Sequence, residues 1–113
     1  MVIMMTKEEI LKAAKSIIVE ELQKFGYTVL EVYLFGSRAK DREKPDSDWD
    51  FLIIVDDEID FPRKKEITML IRRRLVKLDI SSDLIIQSYN IKKTRENNIA
   101  YLTYYAIREG IPL

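Results

Sequence analysis

Residues 29–55, VLEVYLFGSRAKDREKPDSDWDFLIIV, constrain the fold more than any other stretch of the chain. Val29 to Phe35 is rich in β-branched and aromatic residues and reads as a half-buried strand. Gly36-Ser37 stops it abruptly. Ser47-Asp48-Trp49-Asp50 then leads into Phe51-Leu52-Ile53-Ile54-Val55, an unbroken apolar run that fits a strand buried on both faces. A chain with a central strand of that kind must cover both sides of a sheet.

Asp48 and Asp50 are two residues apart, so in extended backbone their side chains share one face. Two carboxylates ~5 Å apart at an effective dielectric near 20 repel by about 3 kcal/mol. A cation between them removes that cost. Hard oxygen donors suit magnesium, which takes one or two carboxylates and completes its shell with water and substrate phosphates. The Gly36-Ser37 turn complements this pair. Glycine lets backbone approach a phosphate closely, and a serine hydroxyl with nearby free N–H groups can hold it.

Composition narrows the chemistry. The chain has no cysteine and no histidine, which excludes thiolate nucleophiles, zinc–thiolate sites, Ser-His-Asp triads and histidine general bases. Proton transfer falls to carboxylates, lysine, tyrosine or metal-bound water. Nineteen basic residues balance nineteen acidic ones, so nucleic acid is not indicated as a general partner. No apolar run is long enough to suggest a membrane span and no leader is evident, so a cytoplasmic location is the default expectation. At 113 residues, a single domain over 1–113 is expected.

Taken in order, Met1–Met5 reads as an apolar arm, and Thr6-Lys7-Glu8-Glu9 as a capping box opening a helix to Phe25, ended by Gly26. A short helix is expected from Arg38 to Lys40, and Asp41–Ser47 reads as loop. Asp60-Phe61-Pro62 begins a helix to about Lys77, with Ile67, Leu70, Ile71 and Leu75 inward. Its Arg72-Arg73-Arg74 run reads first as a solvated face and second as a phosphate or partner contact. Asp83-Leu84-Ile85-Ile86-Gln87 reads as a third strand opening on an acid. Ser88 caps a last helix, with Ile91, Ile99, Leu102, Tyr105 and Ala106 inward, which Gly110 ends and Pro112 keeps from resuming.

Two familiar loops are excluded. Counted from Asp46, an EF-hand needs glycine sixth and glutamate twelfth; this chain has Phe51 and Asp57. A P-loop needs Gly-Lys-Ser/Thr, which does not follow Gly36-Ser37.

Gly36-Ser37, ten intervening residues and Asp48-Trp49-Asp50 together match the GS-x10-DxD signature of the polymerase-β-like nucleotidyltransferases, and the whole chain resembles their minimal, MntA-like subgroup. The resemblance implies an α/β (α+β) fold with a small mixed sheet and helices mainly on one face, a palm in its smallest form. It implies transfer of AMP from ATP, or of another nucleotide, to a hydroxyl acceptor. Gly36, Ser37 and Arg38 would hold phosphate, and Asp48, Asp50 and a third carboxylate would hold two magnesium ions, with manganese as the alternative. Asp83 is preferred to Asp79 as that third acid, because a residue entering a strand can be aimed rigidly. The subgroup implies a HEPN-domain partner in a toxin–antitoxin pair; a homo-oligomer is also compatible with the pattern. The rival reading is a binding module that neutralises such a partner by contact alone. Two positions depart from the common pattern: Asp41 stands where many relatives have glycine, and Trp49 where a small aliphatic residue usually separates the acids.

Overall fold

The computed structural model describes residues 4–113, so the first three residues of the expected apolar arm lie outside the described part. Helix α1 (Lys7–Lys24) opens on a complete capping box: the Thr6 hydroxyl accepts from the Glu9 N–H and the Glu9 carboxylate from the Thr6 N–H. Ala14, Ile17, Ile18 and Leu22 form its buried stripe. Gly26 ends it in the left-handed region (φ 87°), and the Tyr27 N–H returns to the Leu22 carbonyl at 3.0 Å. Helix α2 (Phe61–Val76) is capped by Asp60 and buries Ile67, Ile71 and Leu75.

Four strands form one sheet: β1 (Val29–Phe35), β2 (Trp49–Val55), β3 (Ser82–Ser88) and β4 (Ile111–Pro112), in the spatial order β3-β2-β1-β4. β1 is antiparallel to β2 and to β4, whereas β2 and β3 run parallel. A parallel pair requires a crossover, and α2 supplies it. The sheet is therefore mixed, as the resemblance implied.

Strand alternation sorts the core into two unequal parts. Val32, Leu34, Trp49, Phe51, Ile53 and Val55 pack with α1 and α2 in the larger cluster. Leu52 and Ile54 point the other way, to a smaller cluster with Ala106 and the partly buried Tyr33, Phe35, Ile85 and Ile107. Phe51–Val55 is fully buried because both faces of β2 are covered.

Two expectations are corrected at the C-terminal end. The single last helix is two: α3 (Tyr89–Arg95), capped by Ser88 as expected, and α4 (Leu102–Glu109). The break falls at Asn97-Asn98, where the Asn98 side chain accepts from the Ala100 N–H at 2.9 Å, an alternative to the helical ladder. Arg108 then bonds back to the Glu96 carbonyl and the Asn97 side chain. The inward residues of α4 are Thr103 and Ala106, while Ile99, Leu102 and Tyr105 are exposed. Pro112, read as a helix stop, lies in β4, which proline tolerates because the strand is at the sheet edge. Gly110 permits this turn: a Cβ there would meet the Ala106 carbonyl oxygen at 2.1 Å and that of Leu34 at 2.7 Å.

Candidate active site

Three elements meet at one end of the face that carries the smaller cluster. Asp50 lies inside β2, level with Phe35 at the end of β1 and with Asp83 near the start of β3. Neighbours in register share a face, so the Asp50 and Asp83 carboxylates project to the same side. Asp48 sits just outside β2 on that side, and its Oδ1 accepts from the Ser81 hydroxyl at 2.6 Å. Ser81 also accepts the Trp49 N–H on its carbonyl, at 2.9 Å. Sequence reasoning missed Ser81; its role depends on strand register across 33 positions, which no local pattern announces.

The Gly36-Ser37 turn closes over these acids. Gly36 adopts φ 76° and ψ −158°, a region open in practice only to glycine. A Cβ there would fall 2.2 Å from Asp50 Oδ2. Backbone conformation and space thus both demand glycine here. Ser37–Ala39 forms a short 3-10 helix leading away from the turn.

Electrostatically the acids are in conflict. Partial burial, then the neighbouring charges of Asp83 and Asp48, push the Asp50 carboxyl above its ordinary range. Among the described residues, no three acidic side chains are gathered closely enough to cage a metal ion by themselves. The donor set nevertheless fits a hard divalent cation: oxygen ligands only, with a half-buried carboxylate that has no cationic partner among the described residues and is raised by the charges of two more acids. Magnesium is suited to such sites because it typically uses one or two carboxylates together with substrate phosphates.

Arg38 is not brought to this cluster. Its guanidinium stacks on the Trp49 ring, 4.2 Å from the centroid, and donates to the Ser47 carbonyl at 2.9 Å and the Pro45 carbonyl at 3.4 Å. Trp49 points into the larger cluster, away from Asp50. The Arg38 contacts fasten the 41–48 loop. Lys40 lines a hollow of about 180 Å³ with Gly36, Phe35, Tyr105 and Glu109, and pairs with Glu109 at 2.7 Å.

Both departures from the common motif have a local account. Asp41 takes φ 52°, the left-handed conformation for which glycine is the usual choice and aspartate a tolerated one. Its carboxylate is held by Lys7 at 3.0 Å. Trp49 provides the surface on which Arg38 stacks. Asp79 also has positive φ, 62°, and terminates α2: the Ile80 N–H reaches back to Leu75 at 3.0 Å. It belongs to the helix-to-strand connection, as its position suggested.

A family model described as "Polymerase beta, Nucleotidyltransferase" matches residues 7–111. No curated protein matches the chain. Among solved structures, the chain is similar to one from a mutant of the toxin–antitoxin MntA–HpeT, at 18% identity and a TM-score of 0.57, over 88% of this chain and 70% of that one. It is also similar to one from a toxin–antitoxin with AMP-PNP, at 24% identity and a TM-score of 0.48, over 64% of this chain and 56% of that one. At such identity the first likeness is one of fold.

Proposed function

Because this chain belongs to the polymerase β nucleotidyltransferase family, whose model spans residues 7–111, we propose that it transfers AMP from ATP to a hydroxyl on a partner protein, as the antitoxin of a HEPN/MNT pair. The observation that carries the reading is the meeting of Asp50, level with Asp83, with a turn that only glycine can make at that carboxylate.

Asp48, Asp50 and Asp83 would hold magnesium, which when bound screens the triphosphate and stabilises charge on the reacting oxygens. The Gly36-Ser37 turn receives the β- and γ-phosphates, with the Ser37 hydroxyl donating to them. Lys40 exchanges Glu109 for phosphate oxygen and supplies the positive charge first expected of Arg38. The acceptor oxygen attacks the α-phosphorus, the bond to the bridging oxygen of the β-phosphate breaks, and pyrophosphate leaves. The acceptor proton passes to Asp83, an exposed carboxylate in a chain without histidine. The partner follows from the resemblance and from the toxin–antitoxin to which the chain is similar.

The test uses α-labelled ATP, magnesium and lysate of the source organism, with wild type against Asp50→Asn. A discrete protein that takes label only with wild type supports the reading and identifies the acceptor. Neutralisation of a co-expressed partner that persists unchanged in Asp50→Asn, with no label transferred by either protein, would replace it with the contact-only binding module.

A further inference from the structure

We infer that the outer face of α2 docks an amphipathic helix of a protein partner whose apolar seam is flanked by acidic side chains. The inference rests on the reading above only for its expectation of a protein partner. Helix α2 buries Ile67, Ile71 and Leu75, yet a second stripe beside this one also carries apolar side chains. Phe61, Met69 and Val76 are 77%, 52% and 65% exposed. Together with Lys65 and Arg72 they recur at intervals of three or four residues along one stripe. A helix with a second apolar stripe facing water is half of an unmade helix–helix contact.

The surface relief fits the same partner. Hollows of about 340 and 280 Å³ flank Met69, the first lined by Phe61, Thr68 and Arg72, the second by Pro62, Leu70 and Arg73. Lining residues spaced one and two helical turns apart make holes of the kind that knobs from a facing helix fill.

Charge selects among occupants. The chain as a whole is neutral, but α2 carries Arg63, Lys64, Lys65, Arg72, Arg73 and Arg74 against a single acid, Glu66. Arg74 is paired with Glu20 at 2.8 Å; the other five make no ion pair among the described residues. A second copy of this face would set Lys64, Lys65, Arg72 and Arg73, the cations that line the hollows, against four more. A nucleic-acid backbone would match the charge but leave the apolar stripe facing phosphate and water. An acid-flanked apolar helix satisfies both features. α2 packs on the side of the sheet opposite Asp50, so docking here leaves the carboxylates open to the acceptor.

The experiment measures fluorescence anisotropy of a synthetic helical peptide about three heptads long, with leucine at the seam positions and glutamate beside them, and of its twin with lysine for glutamate. The expected result is that the glutamate peptide binds, more tightly at low salt than at high salt. The lysine twin does not bind. Met69→Glu and Phe61→Glu each weaken binding by about tenfold or more while melting like wild type, since both residues are largely exposed. Equal binding of the twins, no binding by either, or unchanged affinity in Met69→Glu would overturn the inference. So would a wild-type dimer in sedimentation that Met69→Glu disperses, which assigns the face to a second copy, or displacement of the peptide by a single-stranded RNA oligomer. Asp50→Asn, which ends transfer in the reading above, leaves peptide binding intact, so the two proposals fail separately.

Discussion

The two ends of one sheet face treat carboxylates in opposite ways. At one end, Asp50 has no cationic partner among the described residues, and its carboxyl is pushed up by burial and by the charges of Asp83 and Asp48. At the other, four residues along β2 and so ~13 Å away, Glu31 lies level with Ile54. It accepts from Lys92 through both oxygens, at 2.9 and 2.6 Å, and from the Tyr33 hydroxyl. Burial works against the Glu31 charge, but Lys92 and Tyr33 outweigh it and hold the carboxyl below its ordinary range. The Tyr33 hydroxyl is correspondingly pushed up to about 12, by burial first and by Glu31 second. The fold can thus satisfy a half-buried acid on this face. Where it does not, the Asp50 carboxyl stays in conflict with its neighbours, and that contrast is what supports the proposed metal site.

The sharpest way to break this contrast is Asp50→Asn. We expect transfer to fall by about 100-fold or more, since even outer-shell partners of a metal site are worth about 10–100-fold. In a chelator the same variant should melt higher than wild type. The sign follows from the raised pKa: the folded protein binds the Asp50 proton more tightly than the unfolded chain. Stability without metal therefore falls as pH rises from the ordinary aspartate range through the raised value, and asparagine removes that slope. Thermal melts across pH check it; an unchanged or lowered melting temperature would show that Asp50 is not in conflict.

Gly36→Ala strikes the same end from the turn. The left-handed backbone and the contact with Asp50 should together cost roughly 1–3 kcal/mol and remove most activity, read by urea melts and by the labelling assay.

Lys92→Met makes the quiet end resemble the conflicted one, and should cost about 1–3 kcal/mol by urea denaturation. Glu31 contributes stability above the ordinary glutamate range that is lost as pH falls through its lowered pKa, so Glu31→Gln should flatten the acid limb of the stability profile.

Arg38→Lys tests whether the loop shares the strain. Lysine keeps the charge and loses the planar stack and fork, so about 1 kcal/mol of stability should go while ATP affinity stays put. A large loss of ATP affinity in Arg38→Met, restored by lysine, would return Arg38 to the phosphates. Smallest is Asp41→Gly: relief of a left-handed backbone, about 1 kcal/mol, is offset by loss of an exposed ion pair worth about 0–1 kcal/mol. The melting temperature should hardly move.

Much of this was written locally in the chain. The span of β1, both ends of α1, the cap of α2 and the buried run of β2 follow from periodicity and capping chemistry acting within a few residues. What escaped was set by distant pairing. Asn97-Asn98 carries a weak break signal that the helical spacing around it masked. The strand at Ile111–Pro112 exists only because β1 offers it an edge. Of the site, the turn and the DxD pair were legible. The hold of Ser81 on Asp48, the turning of Arg38 toward Trp49 and the placing of Lys40 in one hollow with Gly36 were not, since each depends on where separate segments come to lie.

The mixed pairing of the sheet has a consequence for the order in which a nascent chain acquires its chemistry. β1 and β2 are joined by the 36–48 loop alone, so Gly36 and Asp50 meet by closing a short loop. Asp83 joins them only after α2 has crossed the sheet and β3 has found its parallel register, a more distant and slower search. A partly folded chain can hold the turn and two acids yet lack the third. Under the proposed reading, which takes all three acids as metal ligands, transfer is withheld until the last of these strands is in place.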